Sequence, residues 1–281
     1  MPAVTRSPWA LLFLVWLLLV AAGCRPALRE PRPLSELAGS GGGLPAAEAS
    51  SRAAALFEQR EVADAAAALQ AVREAAELWQ GAAASDPESV EWLSAATRAS
   101  IWLAGRETEA AARRAAAERA VETGQWCLRA AAEDPRCAYW LALALGAQAR
   151  ERSSTGLDAL PRMVALLEQA IEGDPELDNA GPDRALALVY VRAPGWPSGP
   201  GDPDLALEHA EAAVELMPSH PPNVMALAEA LEGVDEPGEA RAAYARARQM
   251  AQAQAAQGVA AADRWLAEAR RALDRLGAAG S

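Results

Sequence analysis

Asp174, Glu176 and Asp178 stand at alternate positions with Asn179 behind them, the order in which a calcium-binding loop sets out its first oxygen ligands. Such a loop also needs a glycine at its sixth place and a two-oxygen glutamate at its twelfth. Those places hold Asn179 and Ala185, so the acids read as caps at a helix junction. Asp202 and Asp204 flank Pro203 and could grip a hard cation, but acids at the positive end of a helix dipole serve first as N-caps. His209 is flanked by Glu208 and Glu211, and His220 precedes two prolines. Neither neighbourhood has metal-ligand spacing, so both imidazoles are expected at a solvated surface. Cys127 and Cys137 could form a disulfide in an oxidising compartment. Counting along the flanking helices places their Cα atoms beyond the ~7 Å limit, so two buried small side chains are expected instead. No GxSxG, HExxH, GxGxxG or CxxC stands in a suitable context, and two histidines supply few triads. The chain is therefore expected to be non-enzymatic, with no metal and no cofactor.

Composition speaks of helices more than of chemistry. Of 281 residues 52% are counted hydrophobic, yet 73 are alanines, which favour helix and have little surface to bury. All 26 basic residues are arginines, a bias spread along the whole chain that marks no single site. The net charge of -12 excludes a nucleic-acid partner, because that binding needs a basic face to displace counterions.

The N-terminus carries its own signal. Arg6 and the start amine precede an apolar run from Trp9 to Ala22, shorter than the roughly 20 residues that cross a bilayer. The run closes on Val20-Ala21-Ala22-Gly23-Cys24, which resembles the lipobox of bacterial lipoproteins. Residues 1–23 thus read as a lipoprotein signal peptide and Cys24 as the acylated residue, holding the chain to a membrane through acyl chains. Residues 24–50 complete that unit as a tether, with Pro26, Pro31, Pro33, Pro45 and a glycine run at 39–43, reaching roughly 25 to 30 Å. A phosphate loop is set aside because no GK[ST] follows the glycines. Arg25 behind Cys24 favours an outer-membrane address facing the periplasm.

Beyond Ser51 no stretch alternates with a period of two, whereas apolar residues recur at three and four. A phrase returns four times: Ala82 to Pro87, Ala130 to Pro135, Ala170 to Pro175 and Ala213 to Pro218, each with alanine five before the proline. The proline spacings of 48, 40 and 43 are those of a repeat with insertions. Proline opens a helix but cannot continue one, and a neighbouring aspartate caps free amides. The helices that follow carry one apolar face: Trp92, Ala95, Ala96, Ala99; Trp140, Leu143, Ala144, Ala147; Val224, Leu227, Ala228, Leu231. These features resemble tetratricopeptide repeats. Residues 51–281 are expected to be all-α, a tetratricopeptide-like helical-hairpin solenoid with degenerate repeats. Its eleven helices are placed at 46–59, 63–84, 88–104, 107–132, 136–151, 158–172, 182–192, 203–217, 222–232, 237–250 and 259–276.

One segment breaks the pattern. Gly181-Pro182-Asp183-Arg184 opens a helix, and Arg192 to Asp202 makes a connection far longer than a repeat needs, stiffened by proline and glycine around Trp196. Indole against proline favours a plug for an apolar hole over a presented side chain. Arg184 in a first helical turn opposes the dipole unless Asp178 or Asp183 compensates it.

Tyr139-Trp140, Asp174-Pro175, Gly181-Pro182-x-Arg184, Ala193-Pro194-Gly195-Trp196-Pro197 and Pro222-Asn223 through Ala230 together resemble one family. It is the tetratricopeptide-repeat lipoproteins grouped as the T component (TatT family) of TRAP transporters associated with tetratricopeptide proteins. The resemblance implies a periplasmic, lipid-anchored, all-helical accessory that pairs with a TRAP-type solute-binding protein. It also implies a homo-oligomer with a channel for an apolar ligand. Tyr139, Trp140, Arg184, Tyr190, Trp196 and Asn223 are the expected ligand or partner contacts. Transport requires a cavity lined by the aromatic members of that set. The alternative is a scaffold lipoprotein for envelope-complex assembly, which requires a solid core and an open groove.

Overall fold

The computed structural model describes residues 28–37, 44–61 and 65–279, so the leader and Cys24 lie outside the described residues. The recurring phrases fall at helix junctions, closing helices at Ser85, Ala130, Gly173 and Leu216. Ser89, Asp134 and Asp202 each offer a side-chain oxygen to free amides: to Trp92 N at 3.4 Å, to Arg136 N at 2.9 Å, and to Asp204 N and Leu205 N at 3.1 and 3.2 Å. Pro135, Pro203, Pro221 and Pro237 begin their helices, where a missing N–H costs nothing.

Twelve helices result among the described residues. They are α1 (Leu34–Leu37), α2 (Ala46–Glu58, continued by a 3₁₀ turn at Gln59–Glu61), α3 (Ala65–Ser85), α4 (Val90–Ala104), α5 (Ala110–Ala130) and α6 (Pro135–Glu151). α7 (Ser153–Gly173), α8 (Leu177–Arg192), α9 (Pro203–Leu216), α10 (Pro221–Gly233), α11 (Pro237–Ala256) and α12 (Ala262–Ala279) follow. No strand occurs among the described residues; an isolated bridge joins Gly195 and Gly201. No described helix is long and apolar enough to cross a membrane.

From α2 to α11 the helices pack as five successive hairpins, and α12 closes against α11. The first members touch along the stack, α4 on α6, α6 on α8 and α8 on α10, while the second members keep no comparable contact. That difference curves the stack, with first members on the inner row and second members on the outer. Arg264 of α12 reaches Glu61 at 3.5 Å, so the curve brings the last helix back to the first hairpin. Leu141, Leu145, Leu166, Leu167 and Leu186 fill the centre, with Ala120, Ala142, Ala170 and Ala187 fully buried between them. Alanine lets the helices approach closely. Gly124 goes further, since a Cβ there would meet Leu141 at 3.1 to 3.2 Å.

Residues 24–50 read as a tether, yet Leu34 and Leu37 are 6% and 4% exposed, packed with Ala83, Leu93, Cys127 and Cys137. Two leucines in a proline-rich stretch make no periodic pattern, and the slot that receives them is built by helices distant in sequence. Cys127 and Cys137 are bonded, with Cα atoms 5.2 Å apart. Adding rise along two helices overstates that distance, because the chain reverses between Ala130 and Pro135 and sets the two residues level across the hairpin.

Candidate functional site

Three of the six expected contact residues meet in one network on the inner row. Tyr139 of α6 donates from its hydroxyl to Asp178 Oδ2 at 2.7 Å, and Arg184 of α8 donates to the same oxygen at 3.0 Å. Arg184 also reaches Asn223 Oδ1 of α10 at 2.8 Å and the carbonyls of Asn179 and Asp178 at 3.0 and 3.2 Å. Asn223 then donates to the carbonyls of Asn179, Ala213 and Met217 at 3.1, 2.9 and 3.2 Å.

The backbone explains these bonds. Asp178, Asn179 and Ala180 have φ of 51°, 58° and 56°, three successive left-handed residues in which the carbonyls cannot enter a helical ladder. Arg184 and Asn223 satisfy two of them, those of Asp178 and Asn179. Gly181 follows because a Cβ there would lie 2.4 Å from the Tyr139 hydroxyl oxygen. The Gly-Pro-x-Arg motif is thus a device for holding three helices together, and Asp178 is the acid that compensates Arg184. Burial, then the Asp178 charge, raises the Tyr139 pKa, so the hydroxyl remains a donor. Among the described residues no cluster of three or more His, Cys, Asp or Glu side chains could hold a metal ion.

Trp140 stands beside this network, its ring 4.7 Å from that of Tyr139. Over Trp140 lies Arg98 of α4 at 5.6 Å; the same guanidinium is 4.9 Å from the Phe57 ring, which Arg60 approaches at 4.2 Å. Arg106 lies 4.4 Å over Trp102. Among the described residues no carboxylate comes within ion-pair distance of Arg98 or Arg106. Burial lowers both pKa values and the charges of Arg60 and Arg264 respectively add to it, while Asp178 and Glu58 oppose the shift at Arg98 and Glu61 opposes it at Arg106. The inner row therefore presents stacked, under-compensated cations within an acidic chain. Below them, α8, α10 and α12 border a groove of about 900 Å³ whose wall includes Arg184, Met225, Glu229, Trp265 and Arg271.

The other expected residues lie elsewhere or behave differently. Tyr190 is buried and stacks on His209 at 5.8 Å, and His209 Nδ1 is 2.8 Å from Asp183 Oδ1. Solvated histidines were expected, but His209 bridges α8 and α9, and His220 packs edge-on against Trp265 at 5.2 Å. Burial and the Arg184 charge push the His220 pKa down to about 4. Trp196 is 90% exposed, which overturns the plug: the Arg192–Asp202 connection closes on itself through Gly201 N to Pro194 O at 2.9 Å and leaves the indole outside. Sequence reasoning missed Arg98, Arg106 and Arg264, since a chain whose basic residues are all arginine offers no contrast. Arg98 alone lies on a first-member helix; Arg106 stands in the turn after α4 and Arg264 on the closing helix α12.

No family model and no curated protein matches this chain. Among solved structures, the thermophilic TPR protein TTC0263 of Thermus thermophilus aligns with a TM-score of 0.57 and 20% identity, over 80% of this chain and 98% of that one. The fold is a tetratricopeptide-like solenoid. MamA (TM-score 0.43, 18% identity, 75% of this chain and 93% of that one) aligns more loosely. So does YrrB, described as a TPR protein with an unusual peptide-binding site (0.42, 16%, 72% and 93%). At these identities the likeness is one of fold, and that fold is compatible in general terms with protein–protein interaction.

Proposed function

We propose that this chain is a lipid-anchored, periplasm-facing binding protein that holds a protein partner on its inner row and performs no catalysis. The observation that carries this reading is the inner face itself. Arg98 and Arg106 stack on aromatic rings without a carboxylate partner, in a chain of net charge -12. Half-buried guanidinium groups with no carboxylate at ion-pair distance, offset only by the more distant Asp178, Glu58 and Glu61, favour a partner that brings carboxylates to them. The Cys127–Cys137 bond supports residence in an oxidising compartment, in keeping with the lipobox at Cys24.

The family resemblance names the partner as the solute-binding protein of a TRAP-type transporter, with the chain as its outer-membrane-anchored accessory. The scaffold reading is supported by a separate observation. Tyr139 is fully buried, Tyr190 packs on His209 and Trp196 stands in solvent, so these residues do not surround one cavity for an apolar ligand. Pull-down of the mature acylated protein from periplasmic extract separates the two. Recovery of a TRAP solute-binding protein, lost with Arg98→Ala, supports the accessory role; recovery of envelope-assembly proteins alone refutes it. Capture that Arg98→Ala and Arg106→Ala leave unchanged refutes the inner face as the contact.

A further inference from the structure

We infer that Leu28 to Leu37 form a strap that holds the outer row of helices close to the membrane and leaves the inner row facing the compartment. The inference rests on the proposed acylation of Cys24. As a free coil, the chain from Cys24 to the start of α2 at Ala46 would have a typical reach of about 25 Å. In the structure the chain from Leu28 onward is already docked on the helices.

Gln125 Nε2 of α5 donates to Arg29 O at 2.9 Å, and Trp126 Nε1 donates to Arg32 O at 2.8 Å. The Arg32 guanidinium meets both oxygens of Glu122 at 2.8 Å, and Glu30 meets Arg129 at 2.8 Å. Exposed ion pairs contribute little, so the two backbone contacts and the buried Leu34 and Leu37 do most of the holding. α1 touches α3 and α5, both second members, and thus lies on the outer row beside the Cys127–Cys137 bond.

Geometry then fixes the stand-off. Four steps of chain, from Cys24 to Leu28, span at most about 14 Å. The α5 surface around Gln125, first met by the chain at Arg29, is held within about 20 Å of the anchor, and the inner row with Arg98 and Arg184 lies on the opposite side of the curve. A net charge of -12 gives no attraction to anionic headgroups, so the strap sets this orientation and the surface charge does not.

The test uses the full mature chain on supported bilayers, after the mass of its N-terminal peptide establishes acylation of Cys24. Neutron reflectometry reads the gap between headgroups and protein, and hydrogen exchange reads docking of residues 30–37 in the same material. The wild-type gap is expected below about 15 Å. Leu34→Asp with Leu37→Asp should widen it by roughly 10 Å and speed strap exchange more than about tenfold. Trp126→Phe removes one donor without burying charge and should raise strap exchange while leaving circular dichroism unchanged. Equal gaps in wild type and strap variants, or free-coil exchange of the wild-type strap in acylated protein, overturn the strap alone. Absence of the acyl mass overturns the anchor and the strap with it.

Discussion

Acidification should destabilise this protein through His220, and the size of the effect follows from its surroundings. His220 sits at the N-terminus of α10, its ring edge against Trp265, with Arg184 and Arg264 contributing positive potential and Asp178 opposing it. Its folded pKa lies at about 4 against an ordinary 6.5. The native state therefore binds fewer protons than the unfolded chain between those values, and stability rises with pH across the window. The contribution is fully present above pH 6.5 and is lost progressively as pH falls toward 4. At pH 5 the loss from this one group is about 2 kcal/mol, most of it absent at pH 7. Urea unfolding of wild type and His220→Gln at the two pH values isolates the term, because carboxylates shared by both proteins cancel. The wild type should lose about 2 kcal/mol more than the variant. Equal losses, or an NMR titration placing the His220 pKa at or above 6.5, would refute the reasoning.

Other perturbations test the remaining structure. Cys127→Ser with Cys137→Ser opens a ten-residue loop and should cost about 2 to 3 kcal/mol in chemical denaturation, matched by reducing the wild type. Gly181→Ala forces a methyl onto the Tyr139 hydroxyl and should cost about 1 to 3 kcal/mol; the penalty should shrink in a Tyr139→Phe background, and an undiminished penalty would contradict the contact. Trp196→Ala should change stability by less than about 0.5 kcal/mol while removing a solvent-exposed component of the tryptophan fluorescence.

Much of the helical layout was legible because it rests on local chemistry. The alanine and proline phrases at 82–87, 130–135, 170–175 and 213–218 mark turns that any chain would make there, and the apolar faces behind Trp92, Trp140 and Val224 follow from period alone. Boundaries moved where local signals compete: α7 begins at Ser153 although Pro161 lies inside it, and α11 runs on to Ala256 through an alanine-rich stretch. At Asp174–Asp178 the acids suggested a cap or a cation, and nothing local announced three left-handed residues at 178–180. Those residues persist because Arg184 and Asn223, from two different helices, bind two of their carbonyls.

By itself the sequence determined an all-helical repeat with capped junctions, since hydrophobic period, proline placement and side-chain capping act over a few residues. It also named Tyr139, Arg184 and Asn223, without their purpose. Tertiary structure alone decided that these three lock one bend, that Arg98 and Arg106 stack on aromatic rings with no carboxylate at ion-pair distance, and that Leu34 and Leu37 dock on the outer row. It likewise decided that Cys127 meets Cys137 and that Trp196 stands in solvent. Each of these depends on the curvature of the stack and on distances between residues far apart in the chain, quantities that packing sets and no local pattern encodes.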